Sequence, residues 1–112
     1  MSDPWEGIDC DWQKEPLPSP EALATATRLV VAARAAGFPP ESAQRGYWPT
    51  VCLHWDSGRT EVEVFPETFE LYFQPISGAD GRFTVLEFDA CDPEVLEILL
   101  REISRVRSSR DQ

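Results

Sequence analysis

Apolar and polar residues alternate in three short stretches along the middle of the chain, a fourth and largely apolar stretch follows, and turn-forming residues separate the four. Alternation with a period of two is typical of β-strands that bury one face. In the third stretch Phe69, Leu71 and Phe73 would face inward, and Glu70 and Tyr72 outward. The fourth stretch is apolar on both faces, which indicates a well-covered strand or one packed beside the N-terminal segment. The pattern predicts consecutive antiparallel strands over 51–55, 60–65, 69–74 and 83–88.

A helical period occurs on either side of these strands. Ser19 is a suitable N-cap, Pro20 fits the first helical position and Gly37 is a typical left-handed stop. The spacing therefore predicts a helix over 20–36. Residues 92–94 are again a capping acid, a proline and an acid, and they predict the start of a second helix. The apolar stripe of that helix consists of Leu96, Leu99, Leu100, Ile103 and Val106.

Together these elements predict an α+β fold with the order α-β-β-β-β-α. We expect a four-stranded antiparallel meander with an N-terminal and a C-terminal helix packed on one face. A loop is predicted over 38–49. The single domain is expected over 19–107, with an acidic, tryptophan-containing arm over 1–18 before it and a frayed tail over 108–112 after it.

The arm combines acidic and apolar residues. Asp3, Pro4 and Glu6 occupy positions typical of a helix start, although Gly7 lowers the helical propensity. The residues that a short helix would place on one face are Trp5, Ile8 and Trp12.

The net charge of the chain disfavours some classes of function. The 112 residues include 20 acids and 10 bases, and the acidic surplus lies in residues 1–21 and 56–102. The resulting net charge of −10 repels nucleic acid and membrane surfaces and attracts basic partners. No apolar run is long enough to cross a bilayer, and the acidic N-terminus does not fit a secretory signal. Three widely spaced cysteines argue against a disulfide framework and favour a reducing cytoplasm.

The cysteine and histidine residues suggest two candidate reactive sites, a metal site and a nucleophile with a base. Cys52 and His54 share one strand face and, with Cys91 and Asp89, are candidate metal ligands, but one histidine without a second paired motif makes a poor zinc site. Cys52 and His54 are also a candidate nucleophile and base, yet nothing after Cys52 predicts an oxyanion hole. Cys91 precedes a helix start, which favours a thiolate, but it has no histidine nearby in sequence.

A pair of acid–base carboxylates is the third candidate for chemistry. Glu61, Glu63 and Glu70 would share a solvated sheet face, which offers no apolar pocket to raise a carboxyl pKa. We therefore predict that the protein is not an enzyme, and we expect no catalytic residue, no metal site and no cofactor.

Two acidic surfaces are better candidates, and both would bind a partner. On the arm, tryptophans typical of interface hot spots lie among acids that would steer a basic protein. The arm residues predicted to bind the partner are Trp5, Glu6, Ile8, Asp9, Asp11 and Trp12. The residues predicted to do so on the outer sheet face, near His54, are Glu61, Glu63, Glu70 and Tyr72. The alternatives are an arm that covers the domain's own core and a sheet face that is merely solvated.

The sequence thus predicts a small acidic cytoplasmic protein that binds and neutralises or escorts a basic protein partner. Its size and charge are similar to those of small bacterial inhibitors, immunity proteins, antitoxins and nucleic-acid mimics, although no motif identifies one of these families. Direct binding of nucleic acid or membrane is not expected. The alternatives are a module similar to acidic secretion chaperones and a small enzyme that depends on cysteine and histidine. A homodimer through the fourth strand or the last helix is a further alternative.

Overall fold

The computed structural model describes residues 5–11, 19–45, 50–55, 59–73 and 84–110, which form an α+β fold with two helices and a six-stranded mixed sheet. The strands are arranged in the sheet in their order along the chain. The elements are β1 (Asp9–Asp11), α1 (Pro20–Ala35), β2 (Ser42–Arg45), β3 (Val51–Trp55), β4 (Thr60–Val64), β5 (Thr68–Phe73), β6 (Thr84–Asp89) and α2 (Val95–Arg110).

The class α+β is confirmed, but the predicted four-stranded antiparallel meander is wrong in its details. Strands β2 to β6 form an antiparallel series, and β1 adds a sixth strand that runs parallel to β2. The loop predicted over 38–49 contains β2, and the arm contains β1. Residues 5–7 form a turn in place of the predicted helix, because Gly7 adopts a φ of 81° that ends any helical path.

The fourth predicted strand, β6, also has a different environment from the one expected. It lies at the edge of the sheet opposite β1, so it is not packed beside the described part of the arm, residues 5–11. Its Val85 side chain is 49% exposed. A strand that is apolar on both faces is therefore only partly covered here.

Helix α1 forms where its capping residues predict it. The Ser19 hydroxyl oxygen accepts a hydrogen bond from the backbone N–H of Ala22, and Pro20 starts the helix. After the helix, Gly37 has a φ of 95°, and the N–H of Phe38 donates to the carbonyl of Ala33. The buried residues of the helix are Ala22, Thr25, Ala26, Leu29, Val30 and Ala33.

Helix α2 begins after a turn that Asp92 organises. The Asp92 carboxylate accepts the N–H of Glu94 at 2.9 Å, and its backbone carbonyl accepts the N–H of Val95 at 3.0 Å. The helix continues to Arg110, and residues 111–112 of the tail that was predicted to be frayed lie outside the described part of the chain. The side chains that α2 buries are Val95, Leu99, Ile103 and Val106.

The core lies between the helices and the inner face of the sheet. Both helices contact the sheet and each other. Among the described residues Trp55 is the largest fully buried side chain, and its indole Nε1 donates to the carbonyl oxygen of Phe38 at 2.8 Å. This packing leaves the opposite face of the sheet uncovered by either helix, and that face carries most of the charged strand residues.

Candidate partner-binding face

The outer face of the sheet is acidic, and we refer to it as the acidic face. Along β4, Val62 and Val64 are fully buried, whereas Glu61 and Glu63 are half-buried, so alternate residues point to opposite faces. The same alternation holds in β5. The described residues that the register places on the acidic face are Asp9, Ser42, Gln44, Cys52, His54, Glu61, Glu63, Thr68, Glu70, Tyr72, Val85, Glu87 and Asp89.

Three glutamates lie side by side across neighbouring strands of the acidic face. Glu63 of β4 pairs with Glu70 of β5, and Glu70 pairs in turn with Glu87 of β6. Backbone hydrogen bonds at the strand ends show that Glu63 and Glu70 form a hydrogen-bonded pair, whereas Glu70 and Glu87 form a non-hydrogen-bonded pair. Cα atoms in these two kinds of pair are about 5.5 Å and about 4.5 Å apart. Like charges placed directly opposite each other destabilise a sheet.

Two of these three carboxylates accept a hydrogen bond from a hydroxyl group. The Thr50 hydroxyl donates to Glu63 Oε2 at 2.7 Å, and the Tyr72 hydroxyl donates to Glu70 Oε1 at 2.6 Å. The hydrogen bond to Glu70 raises the pKa of Tyr72 above its ordinary value, so this phenol stays protonated. Glu87 is exposed at the edge of the sheet. The row therefore ends at a carboxylate that is exposed to solvent.

A second row crosses the acidic face beside the first. It runs from Asp9 through Ser42, His54 and Glu61 to Tyr72. His54 Nδ1 lies 3.4 Å from Glu61 Oε1, and the His54 side chain is 14% exposed. Within the described residues, its Nε2 atom is buried and has no hydrogen-bond partner. Asp9 thus brings one acid of the arm onto the same face as Glu61.

Basic residues are missing from the described strand positions of the acidic face. Arg45 is the single arginine within the described strands, and its backbone pairs with that of Val51, which is not among the residues of the acidic face. The face therefore presents carboxylates, one histidine and hydroxyl groups. This combination fits a cationic partner and repels an anionic one.

Burial and the neighbouring carboxylates both disfavour the thiolate form of Cys52. Burial raises the pKa of its thiol, and the charges of Glu61 and Glu63 raise it further, so the sulfur is a protonated thiol at neutral pH. Cys91 lies beyond β6, three strands from β3, a lateral separation of about 14 Å. Cys52, His54 and Cys91 therefore cannot share one metal ion, and among the described residues no group of three or more metal-binding side chains is arranged to hold one.

The described part of the arm packs onto the domain. Trp5 is half-buried and donates its indole N–H to the Thr27 hydroxyl at 3.2 Å, and Ile8 is 9% exposed within the core. The carbonyl of Glu6 accepts a hydrogen bond from Arg34 at 2.5 Å, whereas the Glu6 side chain is exposed. Trp5 and Ile8 are thus engaged within the fold, and Asp9 lies on the acidic face.

Two further residues predicted to bind the partner, Asp11 and Trp12, belong to the arm. The backbone of Asp11 pairs with Gln44 in the sheet, and Trp12 lies outside the described residues. The sequence reasoning missed Glu87 and Asp89 as members of the acidic face. The signal that could have found Glu87 was its position as the only charged residue within the apolar run 83–88.

A shallow groove of about 480 Å³ lies at one end of the glutamate row. Its lining includes Glu70 and Glu87 together with the turn between β4 and β5. The other residues at the groove are Phe65, Pro66 and Glu67 of that turn and Thr68 at the start of β5. An apolar wall beside carboxylates would suit the aliphatic stem and charged end of a lysine or arginine side chain.

Comparisons with known proteins leave the acidic face as the main guide to function. No family model, curated protein or solved structure matches this chain. Neither helix in the described part of the chain is long and apolar enough to span a membrane.

Proposed function

We propose that this protein binds a basic protein partner through the acidic face and thereby neutralises or escorts it. The observation that carries the proposal is the row of Glu63, Glu70 and Glu87 across three adjacent strands. The row combines charge density with an open surface, which are the two properties that a docking site for cationic side chains needs.

Repulsion within the row supports this proposal. Adjacent carboxylates on paired strands lower the stability of the unbound protein, and lysine or arginine side chains placed between them would relieve that repulsion. Binding would therefore gain the attraction to the partner and also remove an unfavourable interaction within the protein. Electrostatic attraction of this kind increases the association rate most strongly at low ionic strength.

A non-enzymatic role in a reducing cytoplasm remains part of the proposal. Among the described residues, neither Cys52 nor Cys91 takes part in a disulfide. The raised pKa of Cys52 disfavours it as a nucleophile. Within this proposal Glu6 and Asp9 are the contact residues of the described arm, because Trp5 and Ile8 are already packed against the domain.

Affinity capture at two salt concentrations tests the proposal. The protein is immobilised, extracts of its source cells are applied at low salt, and retained proteins are eluted at high salt and identified. We expect basic proteins to be retained and then released, because salt screens interactions between exposed charges.

A pair of double variants provides the control. Glu63→Lys with Glu70→Lys reverses the row, whereas Glu94→Lys with Glu97→Lys makes the same change in net charge near the start of α2, where both side chains are exposed. Circular dichroism establishes that both variants are folded. Loss of capture in the first variant alone supports the acidic face, and equal capture by both variants contradicts the proposal.

A further inference from the structure

Strand β6 is the last strand of the sheet in the described chain, and half of its peptide groups point away from β5. The N–H of Ala90 donates to the carbonyl of Glu67, which identifies Leu86 and Phe88 as the β6 residues that exchange hydrogen bonds with β5. The peptide groups of the alternate residues therefore point toward the open edge. These residues are Val85, Glu87 and Asp89, and of them Asp89 already uses its carbonyl to accept the N–H of Asp92 at 3.2 Å.

The two faces of this edge differ in chemistry. Val85, Glu87 and Asp89 have exposed side chains on the acidic face. Leu86 and Phe88 point to the other face, where they are half-buried and pack against the core. A strand added beside β6 would thus meet carboxylates with one set of alternate side chains and apolar groups with the other set.

We propose that the edge of β6 accepts an extended segment of the basic partner as a seventh strand, in which lysine or arginine alternates with apolar residues. The proposal rests on the proposed function and specifies the mode of binding. Backbone hydrogen bonds to β6 would supply part of the affinity, and cations beside Glu87 and Asp89 would select the segment. The β1 edge is a poorer acceptor, because that strand has only three residues.

Charge favours a basic segment over a second copy of this chain. In an antiparallel pair of β6 strands, residues on the acidic face of one copy would lie beside the corresponding residues of the other. Glu87 and Asp89 would then face further carboxylates or Val85, and like charges on paired strands are unfavourable. A cationic strand converts the same positions into favourable pairs.

Synthetic peptides test strand addition directly. The probe is a fluorescent eight-residue peptide of alternating lysine and valine, and a peptide of the same composition with all lysines before all valines is the control. Binding to the full chain is measured by anisotropy at low salt. We expect the alternating peptide to bind about tenfold more tightly, because only that peptide matches both faces of the edge.

Backbone methylation separates strand addition from contact with side chains alone. One peptide is N-methylated at its lysines and another at its valines. An added strand directs alternate N–H groups toward β6, so methylation of one set should weaken binding about tenfold or more, while methylation of the other set is tolerated. The sensitive set is the lysines for antiparallel addition and the valines for parallel addition.

Variants of the protein locate the contact. Val85→Pro removes an N–H that points toward the edge, leaves the hydrogen bonds to β5 in place and does not change the charge. Glu87→Gln removes one charge of the row at the edge strand, and Glu63→Gln removes one charge two strands away from that edge. We expect Val85→Pro to weaken binding of the alternating peptide about tenfold, and Glu87→Gln to weaken it more than Glu63→Gln does.

The outcomes distinguish the two proposals. If the peptides bind but neither Val85→Pro nor the pattern of methylation matters, the strand-addition proposal is wrong and the acidic face binds through side chains. If no basic peptide binds at low salt and capture of basic proteins also fails, the proposed function is wrong as well. Light scattering tests whether a second copy of this chain occupies the edge instead. A dimer that Val85→Pro dissociates would show that the β6 edge binds another copy and not a basic segment.

Discussion

Trp55 joins the sheet to the end of helix α1. Its side chain is fully buried, and its indole donates to the carbonyl of Phe38 directly after Gly37. Trp55→Phe removes this hydrogen bond and leaves a cavity, so we expect a loss of about 2 kcal/mol in the free energy of unfolding. Urea denaturation measures the change. Val31→Ala is the control, because that side chain is 51% exposed, and a change within about 0.5 kcal/mol is expected.

The cysteines should differ sharply in reactivity. Cys91 is exposed, whereas Cys52 is buried and its pKa is raised by burial and by Glu61 and Glu63. In the folded protein at neutral pH we expect iodoacetamide to label Cys91 first and Cys52 only after unfolding or at strongly alkaline pH. Mass spectrometry of timed samples checks the order. Labelling of Cys52 before Cys91 would contradict it and would revive the enzymatic alternative.

Much of the acidic face could be located from individual residues. Alternation placed Glu61, Glu63, Glu70 and Tyr72 outward, and the register has them on one face. Their role in binding stays a prediction. The alignment of Glu63, Glu70 and Glu87 in one row could not be predicted. The order of residues along each strand does not give the register between strands.

At the scale of elements, the predicted strands are the four whose sequences contain several apolar residues. Strands β3 to β6 and both helices were predicted to within a few residues. Strands β1 and β2 were missed because each contains little alternation: β1 has only Cys10 between two acids, and in β2 only Ala43 is apolar. Their stability comes from pairing with neighbouring strands, which a local pattern does not reveal.

Repulsion within the glutamate row should lower the stability of the folded protein by a measurable amount. Glu87→Gln removes one charge opposite Glu70, so we expect it to stabilise the protein by about 0.5 kcal/mol at low salt and by less at high salt. Thermal denaturation at two ionic strengths measures the effect. Glu21→Gln makes the same chemical change in the first turn of α1. It should have the opposite sign, because an acid stabilises a helix N-terminus. Destabilisation by Glu87→Gln would show that the row is not repulsive.

At the scale of the whole molecule, two acidic blocks that are distant in sequence meet on one side of the fold. Asp9 belongs to the first block and Glu61 to the second, yet the register places both in the same cross-strand row. The helices cover the other side of the sheet. Part of the acidic surplus of the chain is thereby gathered on one face of the sheet, and that face attracts cations.

The arm should contribute to the stability of the whole domain. Ile8→Ala truncates a side chain in the core, and we expect it to lower the free energy of unfolding by about 2 kcal/mol. Glu6→Ala changes an exposed neighbour and should leave stability nearly unchanged. Urea denaturation of both variants, together with capture of basic proteins, separates the two roles of the arm. Equal stability with lost capture in Ile8→Ala would make this part of the arm a contact.

The parallel pairing of β1 with β2 also has a consequence for how the chain assembles. Strands β2 to β6 pair with their immediate neighbours in sequence, so they can form through short loops. Strand β1 is separated from β2 by the segment that contains α1, and this segment has to be positioned before Asp9 can pair with Ser42. Closing that longer segment costs more entropy and is rewarded only when β2 is already in place. The N-terminal strand is therefore expected to join last during folding and to detach first during unfolding.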